Sequence, residues 1–171
     1  MTMKKKLLVL FALTTWLSVS VSAQSLRVYI VDKNGPYTNI RNAPKGKIVD
    51  KIPTSETAMF GVEKPTNGWW KIIGTSYGTG DVDGTLTGST TGYWIHYSVL
   101  GMATRNYGGQ KLTLRKEPSD KSAVVYSFTE ERNLRVLDIK GDWVKVRTLD
   151  GKYTGWIDSE WLCGNSLTNC C

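Results

Sequence analysis

His96 is the only histidine in the chain, and the three cysteines, Cys163, Cys170 and Cys171, stand together at its C-terminal end. These side chains carry nucleophilic, acid–base and soft-metal chemistry, so their number and placement bound the reactions within reach. One histidine rules out a two-histidine metal site or a paired-imidazole mechanism within one chain. A Cys–His nucleophile would require His96 to meet a cysteine from the far end of the molecule. Asp81-Val82-Asp83-Gly84 resembles the start of a calcium loop, but the further oxygen ligands and the distal glutamate that such a loop needs at fixed spacing are missing. Asp83-Gly84 reads instead as a hairpin turn. The expectation is a chain with no catalytic residues, no metal and no cofactor.

Tryptophan is the residue type the sequence does offer, and it is placed in a pattern. GDWVKVRTLDGKYTGWIDSEWL (141–162) holds three tryptophans, and its parts echo an earlier stretch. NGWWKI (67–72) sets Trp69, Lys71 and Ile72 against Trp143, Lys145 and Val146, and GYWIHYSVL (92–100) sets Trp94, Ile95 and Leu100 against Trp156, Ile157 and Leu162. NIRNAPKGKIV (39–49) likewise echoes TLRKEPSDKSAVV (113–125), with Arg41 against Arg115 and Pro44 against Pro118. The three blocks occur in the same order twice, which makes the chain two copies of one small unit.

The elements that must position these residues are strands. LTL (112–114), AVVYSF (123–128), LRVLDI (134–139), WVKVRT (143–148) and YTGWID (153–158) are rich in β-branched and aromatic residues and are bounded by turn residues. Asp150-Gly151 joins the last two as a hairpin. Asp158 or Ser159 caps a helical turn over DSEWL. Five or six short strands in each unit predict a small closed barrel, since closure removes exposed edges. The fold expected is all-β, with two small barrels in tandem over 24–101 and 102–171, joined by a short linker at 101–110. The first is interrupted by a Gly/Thr-rich insertion at 74–92, an elongated hairpin or a loop.

Alternation assigns faces. Val144, Val146 and Thr148 point inward, which leaves Trp143, Lys145 and Arg147 outward. By the same rule Trp70 and Ile72 face the core, while Trp69 starts on the solvent side. Trp156 and Trp94 lie opposite Ile157 and Ile95, hence at least partly outside, and Trp161 covers the barrel end. Leu112, Leu114, Val124 and Tyr126 are core or near it. Each unit thus presents a tryptophan beside a lysine, Trp69 with Lys71 and Trp143 with Lys145, plus Trp94 or Trp156 from the neighbouring strand. Tyr37, His96 and Tyr97 add to the rim in the first unit. An aromatic shelf with a cation suits an extended peptide or glycopeptide bearing carboxylates; the same rings lying flat over the outer strands would instead shield backbone. Arg41 and Arg115 read as ties for neighbouring loops.

The N-terminus has the form of a secretory signal: Lys4, Lys5 and Lys6, an apolar run from Leu7 to Leu17, and Val21-Ser22-Ala23 before a cleavage point. That run is shorter than the roughly 20 residues of a membrane span, and no later stretch is long enough, so no transmembrane segment is expected. Removing 1–23 takes away three lysines and no acid, so a formal charge of +7 becomes +4, from 7 − 3. With Lys and Arg scattered among acids, the sequence lacks the clustered basic face of a nucleic-acid binder. Export allows a disulfide, with Cys163 paired to Cys170 or Cys171 and pinning the tail, and the odd cysteine left free or pairing between chains.

The order "LR…P…GDWVKVRTLDGKYTGWIDSEWL" resembles the bacterial SH3 domain, closely over 108–164 and more loosely over 27–101. The resemblance implies an exported cell-envelope protein, periplasmic or secreted, whose SH3-like barrels bind cell-wall material, often the peptide part of peptidoglycan. An exported protein partner or self-association is the alternative. A linked hydrolase, which such domains commonly serve, finds no room between the two copies.

Overall fold

The computed structural model describes residues 24–32, 34–55, 57–77 and 90–167. The expected leader at 1–23, the Asp83-Gly84 turn, and Cys170 and Cys171 lie outside the described residues. The described chain is all-β, with thirteen strands and two short 3-10 turns, and every strand pairing in it is antiparallel. In chain order the strands of the first half are β1 (Ser25–Ile30), β2 (Tyr37–Arg41), β3 (Ile48–Pro53), β4 (Ala58–Glu63), β5 (Trp69–Tyr77) and β6 (Trp94–His96). A 3-10 turn at Tyr97–Val99 leads into β7 (Leu100–Thr104). The second half adds β8 (Leu112–Arg115), β9 (Val124–Phe128), β10 (Asn133–Lys140), β11 (Trp143–Thr148) and β12 (Thr154–Asp158), a second 3-10 turn at Ser159–Trp161, and β13 (Leu162–Cys163). Among the described residues no helix is long and apolar enough to cross a membrane.

Alternation builds these strands. In β11, Val144, Val146 and Thr148 are buried while Trp143, Lys145 and Arg147 are half-buried. Their partners on β12 follow the same rule, with Ile157 buried opposite Val144. Strand β10 starts the same way, with Leu134 and Val136 inside, but a bulge between Val136 and Asp138 shifts the register. The extra residue brings Ile139 inward, where strict alternation would have put Asp138. Gly151, at φ +76, supplies the left-handed conformation that the β11–β12 turn requires.

The sequence repeat recurs as a repeat of pairings. The first half pairs β1 with β4 and β7, β4 with β5, β5 with β6, β6 with β2, and β2 with β3. The second pairs β7 with β10 and β13, β10 with β11, β11 with β12, β12 with β8, and β8 with β9. Strand β7 stands in both sets. The stretch expected to be a linker is therefore a strand over its first part, hydrogen-bonded to both halves. Buried apolar residues from β1 to β13 form one contiguous core across it. Close approach there needs Gly101, since a Cβ at that position would stand 2.5 Å from the Leu134 carbonyl oxygen.

Two further expectations are corrected. Val124 is 49% exposed, because β9 closes one end of the strand order and both Val124 and Val125 lie at that edge. Residues 74–77, expected as part of the insertion, continue β5 and pair with β4 up to Ala58 and Tyr77. Thr75 and Thr90, both buried, join hydroxyls where the chain leaves and re-enters the described structure; residues 78–89 lie outside it. Cys163 is buried and disulfide-bonded.

Candidate functional site

Trp143 opens β11 directly after the turn at Gly141-Asp142, and its register partner is Asp158, the last residue of β12. Asp158 caps the second 3-10 turn, its Oδ1 accepting from the Glu160 amide at 2.9 Å. The Ser159 amide donates to the Asp142 carbonyl at 2.7 Å, which locks that turn against the loop preceding Trp143. Trp161 ends the turn and packs against the core. Trp143 and Trp161 are thereby held at one hollow of about 180 Å³, floored by Leu112 and Ile157. Its rim carries both signs of charge, from Lys111 and Arg115 and from Asp120 and Asp158. Trp161 also borders a second hollow of about 410 Å³ with Arg105, Tyr107 and Glu160. Arg105 is fixed there by its amide to the Trp161 carbonyl at 2.9 Å and by Nη1 to the Glu160 carbonyl at 3.2 Å.

The matching place in the first half is occupied. Trp69 opens β5 with His96 as its register partner, and the two rings lie 4.8 Å apart. The Tyr97 ring follows at 4.5 Å from His96, and the Arg41 guanidinium stands 5.7 Å from the Trp69 ring centre. Trp69 therefore has only 8% of its surface exposed, and the expectation that it faces solvent is corrected: its side of the strand is outward, but β2 and β6 cover it. His96 holds the capping position that Asp158 holds in the second half. Its Nδ1 accepts from the Ser98 amide at 3.4 Å and lies 2.8 Å from the Ser98 hydroxyl, which assigns the ring proton of the neutral form to Nε2. Burial pushes the His96 pKa below its ordinary value, and the Arg41 charge adds to this.

The remaining candidates separate from both clusters. Trp156 is also 8% exposed, with Lys145 Nζ 5.8 Å from its ring centre and Arg115 as its partner across the β8–β12 pairing. It is covered where the alternation had left it partly outside. Lys71 and Trp94 are half-buried register partners on β5 and β6. Tyr37 is 51% exposed, with Lys51 Nζ 5.8 Å from its ring centre. It lies four residues along β2 from Arg41, roughly 13 Å at the rise of a strand, and so stands apart from Trp69. Arg41 donates to the Gly46 carbonyl at 2.6 Å and Arg115 to the Ser122 carbonyl at 2.8 Å, each tying down the loop that follows its strand. Arg105 and Tyr107 were missed from sequence because 101–110 read as linker; the signal available was their position just after a strand that both copies share.

Comparison with known proteins bears on this region. Residues 110–162 match the family described as the bacterial SH3 domain, a segment running from β8 through the second 3-10 turn and including Trp143 and Trp161. No curated protein matches the chain. One solved structure similar to it is that of NlpC2 from Trichomonas vaginalis, with a TM-score of 0.32 and 12% identity over 82% of this chain and 48% of that one. The chain spans about half the length of that structure's chain. The chain thus contains one bacterial SH3 domain, and the open groove lies within it.

Proposed function

We propose that the protein is a non-catalytic exported binding protein, built of two SH3-like units sharing β7, that holds a cell-wall peptide or glycopeptide between Trp143 and Trp161. The groove carries this reading: two indoles supply stacking surface while cations and carboxylates ring the hollow between them. A short peptide bearing both an amine and carboxylates matches such a rim, each charge finding an opposite one. Bacterial SH3 domains are found in cell-envelope proteins, and the leader-like N-terminus supports export. The recurrence of strand pairings and of the tryptophan blocks supports the first unit, over 24–101, beside the matched domain. In the first unit the equivalent place is closed by the protein's own His96 and Tyr97 rings, so among the described residues the place is open only at Trp143. The absence of catalysis is supported by His96, whose Nδ1 is engaged in capping a turn and whose ring is packed against Trp69 and Tyr97.

Purified cell-wall sacculi test this. The protein should be retained, and Trp143→Ala should lower its affinity at least tenfold with the fold intact, since the residue is only half-buried at a strand end. Loss of retention by the unaltered protein, with an exported protein captured instead, would replace wall binding by the adaptor reading.

A further inference from the structure

A further concave region, away from the Trp143 groove, surrounds residues 131–133, and the residues forming it are different in chemistry. The loop at Glu131–Asn133 is a ridge between two hollows, one of about 310 Å³ and one of about 510 Å³, both within the range of small-molecule sites. On the first side lie Tyr126 and Tyr153, stacked at 4.0 Å with rings 10° from parallel, with Thr148 and Asp150 beside them. On the second side the wall comes from β1, β7 and the segment after β13, including Tyr29, Thr104 and Tyr107.

The ridge is rigidly built. The Arg132 amide donates to Thr104 Oγ1 at 3.0 Å, and that hydroxyl donates to Asn106 Oδ1 at 2.8 Å. Asn106 Nδ2 reaches the Thr129 carbonyl at 2.5 Å, just before the ridge. Thr104 and Asn106 are each 1% exposed, so two buried polar side chains are committed to fixing this loop. Arg132 Nη1 donates to the Tyr126 hydroxyl at 2.9 Å and Nη2 to Glu130 at 2.6 Å, which sets the tyrosine platform against the ridge. The Tyr29 hydroxyl donates to Asn133 Oδ1 at 2.6 Å, and its pKa, raised to about 12 by burial, keeps it a donor. Asn133 is exposed, and its Nδ2 has no hydrogen bond among the described residues. Glu131 is exposed and, among the described residues, has no ion pair or side-chain hydrogen bond.

We propose that this ridge and its two hollows form a carbohydrate site, taking a neutral oligosaccharide with one sugar ring on Tyr153 and its hydroxyls on Asn133 and Glu131. The charges at the ridge are of both signs and largely paired with one another, Arg132 with Glu130 and Asp150 with Lys152, so they favour neither sign of ligand. The Arg132 guanidinium stands 4.4 Å from the Phe128 ring centre and 5.6 Å from that of Tyr126, so a ligand ammonium would meet a cation on the aromatic faces. An anion would meet Glu131, with Asp150 beside it already paired to Lys152 Nζ at 3.6 Å. Asp150 stays ionised because the Thr148 hydroxyl, foremost among its partners, holds its pKa below the ordinary value. A sugar needs neither charge: its C–H face covers an aromatic ring, and its adjacent hydroxyls suit planar amide and carboxylate groups held in fixed positions. This site is independent of the wall-peptide reading, because it shares no residue with the Trp143 hollow.

The probes are tetramers of β-1,4-linked N-acetylglucosamine and of β-1,4-linked glucose, titrated into the protein by calorimetry and amide NMR. Saturable binding of at least one is expected, with shifts at residues 131–133 and 148–153; which one binds separates amino-sugar from plain-glucose sources. Tyr153→Ala and Asn133→Ala should each weaken it at least tenfold. Tyr153→Phe keeps the stack and should bind within a few-fold of the unaltered protein, and Trp143→Ala should leave it unchanged. Binding of neither sugar, shifts confined to other residues, or affinity indifferent to Tyr153→Ala and Asn133→Ala would overturn the proposal, as would a peptide that binds the ridge and displaces the sugar. Sacculus retention by Trp143→Ala and tetramer binding by Tyr153→Ala report on the two sites separately.

Discussion

His96 and Asp158 stand at the same point of the repeat, each the last residue of a strand and each capping the turn that follows. Asp158 is short and leaves Trp143 beside an open hollow; the imidazole of His96 instead lies against Trp69. The substitution has a second effect, since the groups facing the imidazole are Trp69, Tyr97, the Ser98 hydroxyl and the Arg41 cation, and none stabilises a charged ring as a carboxylate would. Its folded pKa therefore lies below the unfolded value of about 6.5, so the unfolded chain takes up the proton first. Stability is complete above about pH 6.5 and is lost as the pH falls through the window below it. As the chain's only histidine, it is the side chain whose ordinary pKa lies in that window. His96→Asn keeps a capping acceptor and removes the titration, so its melting temperature should fall less between about pH 7.5 and 5.5 than that of the unaltered protein. Equal slopes in thermal melts would show that His96 is not coupled to folding. None of this was legible in the alternation, which gave the side of the sheet for Trp69 but not the neighbours that cover it. Those neighbours come from other strands, and a periodicity argument sees only its own.

The strands of the second half were the most legible elements, because each is short, alternating and bounded by residues that make turns. Observed β11 has the bounds read from WVKVRT, and the Asp150-Gly151 turn and the 3-10 turn over Ser159–Trp161 stand where their turn and cap chemistry put them. Two features escaped. The bulge in β10 is a property of a strand pair, and no residue type announces it. Val124 looked like core because β-branched residues usually are, whereas it lies on an end strand beside exposed Val125. The pair has a counterpart in exposed Ile48 and Val49 on β3, the strand at the opposite end of the order. For Asp158 the element-scale consequence is direct: the side chain satisfies an amide at the start of a turn that holds Trp161. Asp158→Ala should cost about 1 kcal/mol in chemical denaturation. It should also weaken wall-peptide affinity, since the turn positions one of the two indoles. A stability loss with affinity unchanged would mean that Trp161 is held by its core contacts alone.

At the scale of the molecule, the repeat was plain in the sequence and the junction was not. Residues 101–110 hold Gly101 and the pair Gly108-Gly109 and no long apolar run, which is how a linker reads; the strand character of the first part comes from having a partner on each side. Strand β7 pairs with β10 along one edge and with β1 and then β13 along the other, so neither half completes its sheet without it. The halves are tied further by Arg135, whose Nη2 lies 3.8 Å from Asp32 Oδ2, and by the Tyr29–Asn133 hydrogen bond. A contiguous core crossing a shared strand cannot lose one half while the other keeps its packing. Thermal unfolding of the protein should therefore be a single transition, with calorimetric and van't Hoff enthalpies equal. Asn106→Ala probes the same coupling from the buried polar side. It strips the Thr129 carbonyl and the Thr104 hydroxyl of their partner, and should cost about 1–3 kcal/mol. Because β7 carries Thr104, that loss should lower the one transition as a whole rather than split it. Two resolved transitions, with only the later strands shifted by Asn106→Ala, would mean that β7 belongs energetically to one half and merely touches the other.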